Sequence, residues 1–478
     1  MESRNYIGGE WMTPTAGELV VPNPSNTQET VGLVHLSAKE DVLQAGDAAV
    51  AALSKWTSMT PGARGEVLLK AAQLLEARAE EVAHLASSEM GKPITEMKGE
   101  VKRGINLLRY YAAEGVRAFG SVIPASQQQV LQYTKRVPLG VVGLITPWNF
   151  PIAIPIWKLA PALICGNTIV WKPAENASLS ATALTQVLVD AGLPAGVLNT
   201  VIGQGSVVGQ ALMDEVPLDA VSFTGSTQTG LKVGEQAARR NIKYQTEMGG
   251  KNAAVVLADA NLDIAVPAVV SGAFTSAGQK CTATSRVIVE AGIYNRFVAA
   301  LRDAVNELYV GSALDQKSYL GPVASAAQFE KVSAFVDVAL REANEVAQAR
   351  LQVNPASGYY VAPLVVDGVG VQHPLVQEEV FGPLMTLLPV RDFDEAIAVC
   401  NDTVYGLSAS VFTENLHAGM RFLDEAQAGM VRVNLETSGV EYQAPFGGMK
   451  MSSSHTREQG QAALDFYSQT KTCAVYYG

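Results

Sequence analysis

The chain has 478 residues, 48% of them hydrophobic and 17% charged, with a formal net charge of -11 and a pI near 5.1. Such a length and composition predict two or three domains with large cores and exclude a disordered chain, while the acidic balance excludes nucleic acid as a main partner. The four cysteines (Cys165, Cys281, Cys400 and Cys473) form no C-x-x-C pair, and there are only five histidines; neither a disulfide framework nor a metal site is expected.

The start, MESRNYIGGEW, has no long apolar run, and no apolar stretch of membrane-spanning length occurs anywhere. No membrane contact and a cytoplasmic, reducing location are expected. Residues 62–86 repeat apolar side chains every three or four positions, which predicts a surface helix. QQQVLQYTKRVPLG (127–140) alternates polar and apolar residues, predicting an exposed antiparallel hairpin. VVGLITP (141–147), PALICGNTIVWKP (161–173), GVLNTVIG (196–203) and AVSFTG (220–225) are apolar runs ending in turn residues. That is how strands buried on both faces of a parallel sheet read, and SATALTQVLVDAGL (180–193) supplies a helix between them.

A second α/β series runs through NAAVVLADA, SRVIVE, YVAPLVV, PLMTLLPV and SASVFTE, between residues 252 and 414. The tail KTCAVYYG predicts one more strand. It and the 127–140 segment are isolated strands in need of partners, for which a neighbouring subunit is a natural source.

Several stretches carry possible chemistry. In ITPWNFP (145–151), Asn149 lies among aromatics and prolines, placed either to donate to an oxyanion or to satisfy its own loop. VWKPAE puts Lys172 and Glu175 at a strand end; a carboxylate there favours a ribose diol over a 2′-phosphate, hence NAD over NADP. GQGSVVG (203–209) misses the dinucleotide fingerprint spacing by one residue and reads as a plain strand-to-helix turn. FTGSTQTG (223–230) leaves a strand and opens a helix that can approach a pyrophosphate. EMGGKN and EEVFGP offer Glu247 and Glu379 either as general bases or as solvated carboxylates. GQKCTATSR (278–286) offers Cys281 as a nucleophile or a buried thiol.

In this order and spacing, ITPWNFP, WKPAE, FTGST, EMGGKN, GQKCTATSR, EEVFGP and PFGGMKMS resemble the aldehyde dehydrogenase superfamily over nearly the whole chain. The resemblance implies an α/β aldehyde dehydrogenase fold with three parts. They are a Rossmann-like cofactor domain (1–117 and 138–246), an α/β catalytic domain (247–445) and a small β oligomerisation element (118–137 and 460–478). It implies Cys281 as nucleophile, Asn149 with the Cys281 N–H as oxyanion donors, Glu247 as general base and Glu458, in TREQG, as a proton relay; Lys158 matches a residue near Asn149. The other three cysteines are then structural thiols. It implies cofactor contacts from Thr146, Pro147, Trp148, Lys172, Glu175, Gly225, Ser226, Gly230, Glu379 and Phe381, with NAD, or alternatively NADP, as cofactor. Trp148, Trp157 and Phe446 would wall the pocket of a small-molecule aldehyde, and the assembly would be a homo-oligomer, dimer or tetramer.

Succinate-semialdehyde dehydrogenases carry an arginine where this chain has Trp157. WNFPIAIPIWK, VNLETSGVEYQAPFGG and SSSHTREQG look more like bacterial 2,5-dioxopentanoate (α-ketoglutaric semialdehyde) dehydrogenases, although SSSHTREQG lacks the glycines usual before the Arg-Glu pair. Alternatives are a broad-range or betaine-type aldehyde dehydrogenase, a CoA-acylating enzyme and a non-catalytic structural homologue. Glu247 favours hydrolysis over transfer to CoA.

Overall fold

The computed structural model describes residues 1–117 and 120–478, so the first two positions of the expected 118–137 strand element lie outside the described residues. Two seven-stranded sheets organise the chain. The first is built around four consecutive parallel pairings among Lys243–Glu247, Ala220–Thr224, Val141–Ile145, Thr168–Lys172 and Leu198–Thr200. Asn5–Ile7 and Glu10–Met12 extend it as antiparallel edge strands. The second contains Leu364–Asp367, Leu384–Val390, Thr284–Glu290, Asn252–Val256, Ser408–Phe412 and Met430–Val433 in parallel, closed at one edge by antiparallel Asn344–Gln348. Their apolar strands are buried on both faces, as parallel sheets covered by helices require.

The two sheets position the cleft between them. Residues 146–149, 225–226 and Glu247 stand at or just beyond the carboxyl ends of first-sheet strands. Residues 249–250, 281 and 379–381 lie just ahead of second-sheet strands. Loops at the carboxyl ends of parallel strands are where open α/β sheets receive ligands.

Three sequence expectations change. The 62–86 helix is two helices, Pro61–Ala77 and Ala79–Met90, because Arg78 leaves helical geometry (φ -105°, ψ 13°) and pairs with Asp190 at 2.6 Å. No Gly or Pro marks this break; a tertiary ion pair accompanies it. PALICGNTIVWKP is half helix: Ala153–Ile164 precedes the strand Thr168–Lys172. Every residue of that helix is buried, and an element apolar all round has no periodicity to distinguish it from a buried strand. Finally, Val130–Pro138 is paired with the terminal strand Ser468–Tyr476 along its full length, and with Val122–Ile123 only at two positions. The two strands that looked unpartnered therefore satisfy each other within one chain. Among the described residues no helix is long and apolar enough to cross a membrane.

Candidate active site

Cys281 follows a backbone held in an uncommon shape. Ser276, Ala277 and Gly278 have φ of 55°, 53° and 69°, three successive left-handed residues. Glu96 fixes this turn, accepting from the Ser276 N–H (2.8 Å) and hydroxyl (2.6 Å). Strain of this kind persists only where surrounding contacts over-determine it. The turn delivers Cys281, half-buried, to a cleft that is also lined by Asn149, Trp148, Ser226, Glu379 and Phe381. The Asn149 Nδ2 donates to the Gln279 carbonyl at 2.9 Å, which leaves its second hydrogen uncommitted. Among the described residues the Cys281 N–H has no acceptor.

The Asn149 loop rests on a buried ion pair. Lys92 Nζ reaches Glu100 at 2.6 Å and the Asn149 carbonyl at 2.7 Å, and lies 3.7 Å over the Phe150 ring. The other Glu100 oxygen accepts the backbone N–H groups of Ile152 (2.9 Å) and Ala153 (3.0 Å). Lys92 and Glu100 carried no motif signal; only their shared burial beneath the loop reveals them.

Burial raises the Cys281 thiol well above its ordinary range, and the charges of Glu379, Glu247 and Glu458 push the same way. The neighbouring Lys280 ammonium is turned to the Ser271 carbonyl and the Thr275 and Ser438 hydroxyls, and burial lowers its own pKa. The protein alone therefore holds the thiol protonated, and a nucleophile in this place needs a base or an incoming positive charge.

Glu247 is not on the cleft wall. Its Oε2 accepts from the Ser453 hydroxyl at 2.6 Å, while Oε1 is buried without a partner. Burial first, then the charge of Glu458, raise its carboxyl well above the usual range. Glu458 pairs with Lys158 and lies 3.2 Å from the Ser222 hydroxyl, and its second oxygen is also unpartnered. Ser453, in the stretch that departs from the glycine-rich pattern, gives the carboxylate a hydroxyl that a glycine lacks.

The remaining expected residues divide. Ser226 caps the helix Thr227–Arg239, with Thr229 N–H donating to its hydroxyl at 3.3 Å, and that N-terminus faces the cleft. Glu379 accepts from Gly250 N–H at 2.9 Å, and Phe381, at φ 58°, meets Trp148 edge-on with ring centres 5.6 Å apart. Lys172 is buried, its ammonium on the Pro173 carbonyl at 2.8 Å and 3.4 Å from Glu175. Glu175 accepts from Gly205 N–H at 2.7 Å, so the GQGSVVG turn serves as its support. Pro147 lines the cleft. Thr146 is turned inward to the Trp171 indole (2.9 Å), and Gly230 lies against Met248 and Phe223, where a side chain would collide. The Trp157 and Phe446 rings meet tilted with centres 5.4 Å apart, and Cys281 packs against the cluster of Leu407, Met430 and Phe446.

The cleft fits a dinucleotide on its own features. The Thr224 hydroxyl is buried without a partner at the cleft edge. At Gly249 a Cβ would come within 2.6 Å of the Glu379 carboxylate, and at Gly225 within 2.6 Å of Phe223, so only glycine lets these side chains sit so close to the backbone at the cleft.

A model of the aldehyde dehydrogenase family matches residues 11–473. The chain is similar to the alpha-ketoglutaric semialdehyde dehydrogenase of Bacillus subtilis (strain 168), 48% identical over 98% of this chain and 97% of that protein. It is also similar to the 2,5-dioxopentanoate dehydrogenase of Saccharolobus solfataricus, 38% identical over 100% of each chain. Among solved structures, betaine aldehyde dehydrogenase from Staphylococcus aureus in complex with NAD+ superposes with a TM-score of 0.95 at 31% identity, covering 99% of this chain and 94% of that one.

Proposed function

Since the chain belongs to the aldehyde dehydrogenase family, we propose that it oxidises 2,5-dioxopentanoate to 2-oxoglutarate with NAD, using Cys281 as the nucleophile. The observation that carries this reading is the meeting of Cys281, Asn149, Glu379 and the Ser226-capped helix N-terminus in one cleft. The substrate follows the two full-length relatives that bear its name.

Ser226 and the helix start would hold the pyrophosphate, Glu379 the nicotinamide ribose, and Lys172 with Glu175 the adenosine ribose. When bound, NAD supplies the hydride acceptor and a positively charged ring. Cys281 Sγ, giving up its proton through water to the ionised Glu247 carboxylate, bonds to the aldehyde carbon; the carbonyl oxygen takes up negative charge, and the aldehyde hydrogen would then leave as hydride. The free Asn149 amide hydrogen and the Cys281 N–H receive that oxygen. After oxidation the acyl group is a thioester on Cys281. Glu247 then takes a proton from water as water attacks the acyl carbon, and the C–S bond breaks to release the acid and the thiol. A carboxyl raised above its usual range is the stronger base once ionised. Glu458 and Lys158 stand behind Glu247 as a route for its proton.

We read residues 1–117 and 138–246 as the cofactor domain and 247–445 as the catalytic domain, in a cytoplasmic homo-oligomer. The three-stranded sheet supports association, since Val122, Leu131 and Val475 are exposed on one of its faces.

Steady-state turnover of 2,5-dioxopentanoate by Cys281→Ala tests the core of the reading. NADH formation should vanish while NAD binding, followed by calorimetry, persists. Substantial residual turnover would remove Cys281 as nucleophile. A panel including betaine aldehyde and simple aliphatic aldehydes tests the substrate; a higher kcat/KM for either of these would displace the dioxo acid.

A further inference from the structure

Cys281 packs against the cluster that contains Phe446, and the Phe446 ring meets Trp157. Phe446 is bonded to Glu458 through both backbone pairs at 2.7 Å, and Gln459 is the next residue along the chain. Gln459 is fully buried and accepts at its Oε1 from Arg103 Nη2 at 3.0 Å. Arg103 belongs to the helix Ile94–Glu114, one turn beyond Glu100, and neighbouring Gly104 packs against Ile152 and Ile156 of the segment that carries Asn149 and Trp157.

Three N–H donors in this region are buried with no acceptor among the described residues: Arg103 Nε, Gln459 Nε2 and Trp157 Nε1. Arg103 Nη1 also makes no hydrogen bond among the described residues, but unlike Nε it is not buried. Buried polar groups in folded proteins are nearly always paired, so each exception calls for an explanation. The nearby carboxylates do not supply the missing acceptor. Glu100 is committed to Lys92, Ile152 and Ala153, Glu458 turns toward Lys158 and Ser222, and Glu441 is exposed and makes no bond to Arg103. Gln459 also holds a left-handed backbone (φ 62°), a conformation that non-glycine residues rarely keep without a reason. A guanidinium with free hydrogens beside an amide NH₂ is a set of donors suited to a planar carboxylate.

We propose that Arg103, oriented by Gln459, receives a carboxylate carried by the aldehyde substrate at the end remote from its carbonyl. This rests on the reading of Cys281 as nucleophile, and it gives the substrate's acid group a partner although position 157 is tryptophan. The cation comes from a different element, the helix Ile94–Glu114.

The test is the ratio of kcat/KM for 5-oxopentanoate to that for pentanal, an uncharged aldehyde of equal length. The wild type should favour the carboxylated aldehyde. In Arg103→Gln that ratio should fall roughly ten- to hundredfold, mainly through KM. Arg103→Lys should retain part of it, keeping the charge without the fork. Glutarate, a competitive inhibitor against pentanal, should weaken in parallel. Gln459→Glu, which sets a negative charge against the incoming carboxylate, should lower the ratio independently and decides the matter if Arg103→Gln does not fold. A ratio indifferent to the variants, or a wild type with no preference for the charged aldehyde, overturns the proposal. The parent reading fails separately, if the wild type oxidises no aldehyde or Cys281→Ala still turns over.

Discussion

Two buried lysine–glutamate pairs flank the candidate nucleophile, and they differ in how completely they are satisfied. In Lys92–Glu100 the lysine also holds the Asn149 carbonyl, and both glutamate oxygens accept hydrogen bonds. In Lys158–Glu458 one carboxylate oxygen shares the lysine and the Ser222 hydroxyl, while the other is unpartnered, and its charge raises the carboxyl of Glu247. The chemistry of the pair is the same, but the consequences are not. A saturated pair fixes backbone; an unsaturated one, close to a second buried carboxyl, sets where a proton sits.

The most damaging way to break the contrast is Lys92→Met. Removing one partner of a buried pair leaves the other uncompensated, so stability should fall by about 3–5 kcal/mol, measured by denaturant unfolding. Activity should fall with it as the Asn149 loop loses its anchor. Asn149→Ala tests what that anchor serves. It should leave the fold intact and raise the barrier by about 2.7–4 kcal/mol, read as a loss of kcat; an unchanged kcat removes the oxyanion role.

Glu458→Gln sharpens the other side. The carboxyl of Glu247 is raised by burial and then by the Glu458 charge, so activity that needs Glu247 ionised should rise with pH as it deprotonates. Without the Glu458 charge the carboxyl becomes easier to ionise, and the rising limb of the kcat–pH profile should move to lower pH. Glu100→Gln should leave that limb in place. Equal shifts in both variants would erase the distinction between the pairs. Ser453→Gly, which removes a hydrogen bond that favours the ionised form, should move the limb the opposite way. The smallest effect is expected farthest from either pair: Glu175→Ser should raise the use of NADP relative to NAD, read as the ratio of kcat/KM for the two cofactors.

Much of the fold was legible in the chain because short apolar runs closed by turns suit buried parallel strands. VVGLITP, AVSFTG, NAAVVLADA and SRVIVE each contain one. The fully buried helix Ala153–Ile164 was not legible, since it has no polar face to set a period. The motif order was equally informative, because GQKCTATSR, ITPWNFP and EMGGKN each limit the backbone locally and their residue types suit one reaction. What stayed hidden were groups that acquire meaning only from a partner far away in sequence. Lys92 beneath Asn149, Ser453 on Glu247 and Arg103 on Gln459 are separated by 57, 206 and 356 positions. By itself, then, the sequence determined the architecture and the chemical types at the site, since periodicity and local backbone preference act over a few residues. Only the tertiary structure decided which polar groups are buried together and which of them are left unsatisfied, because desolvation and charge coupling depend on distance in space.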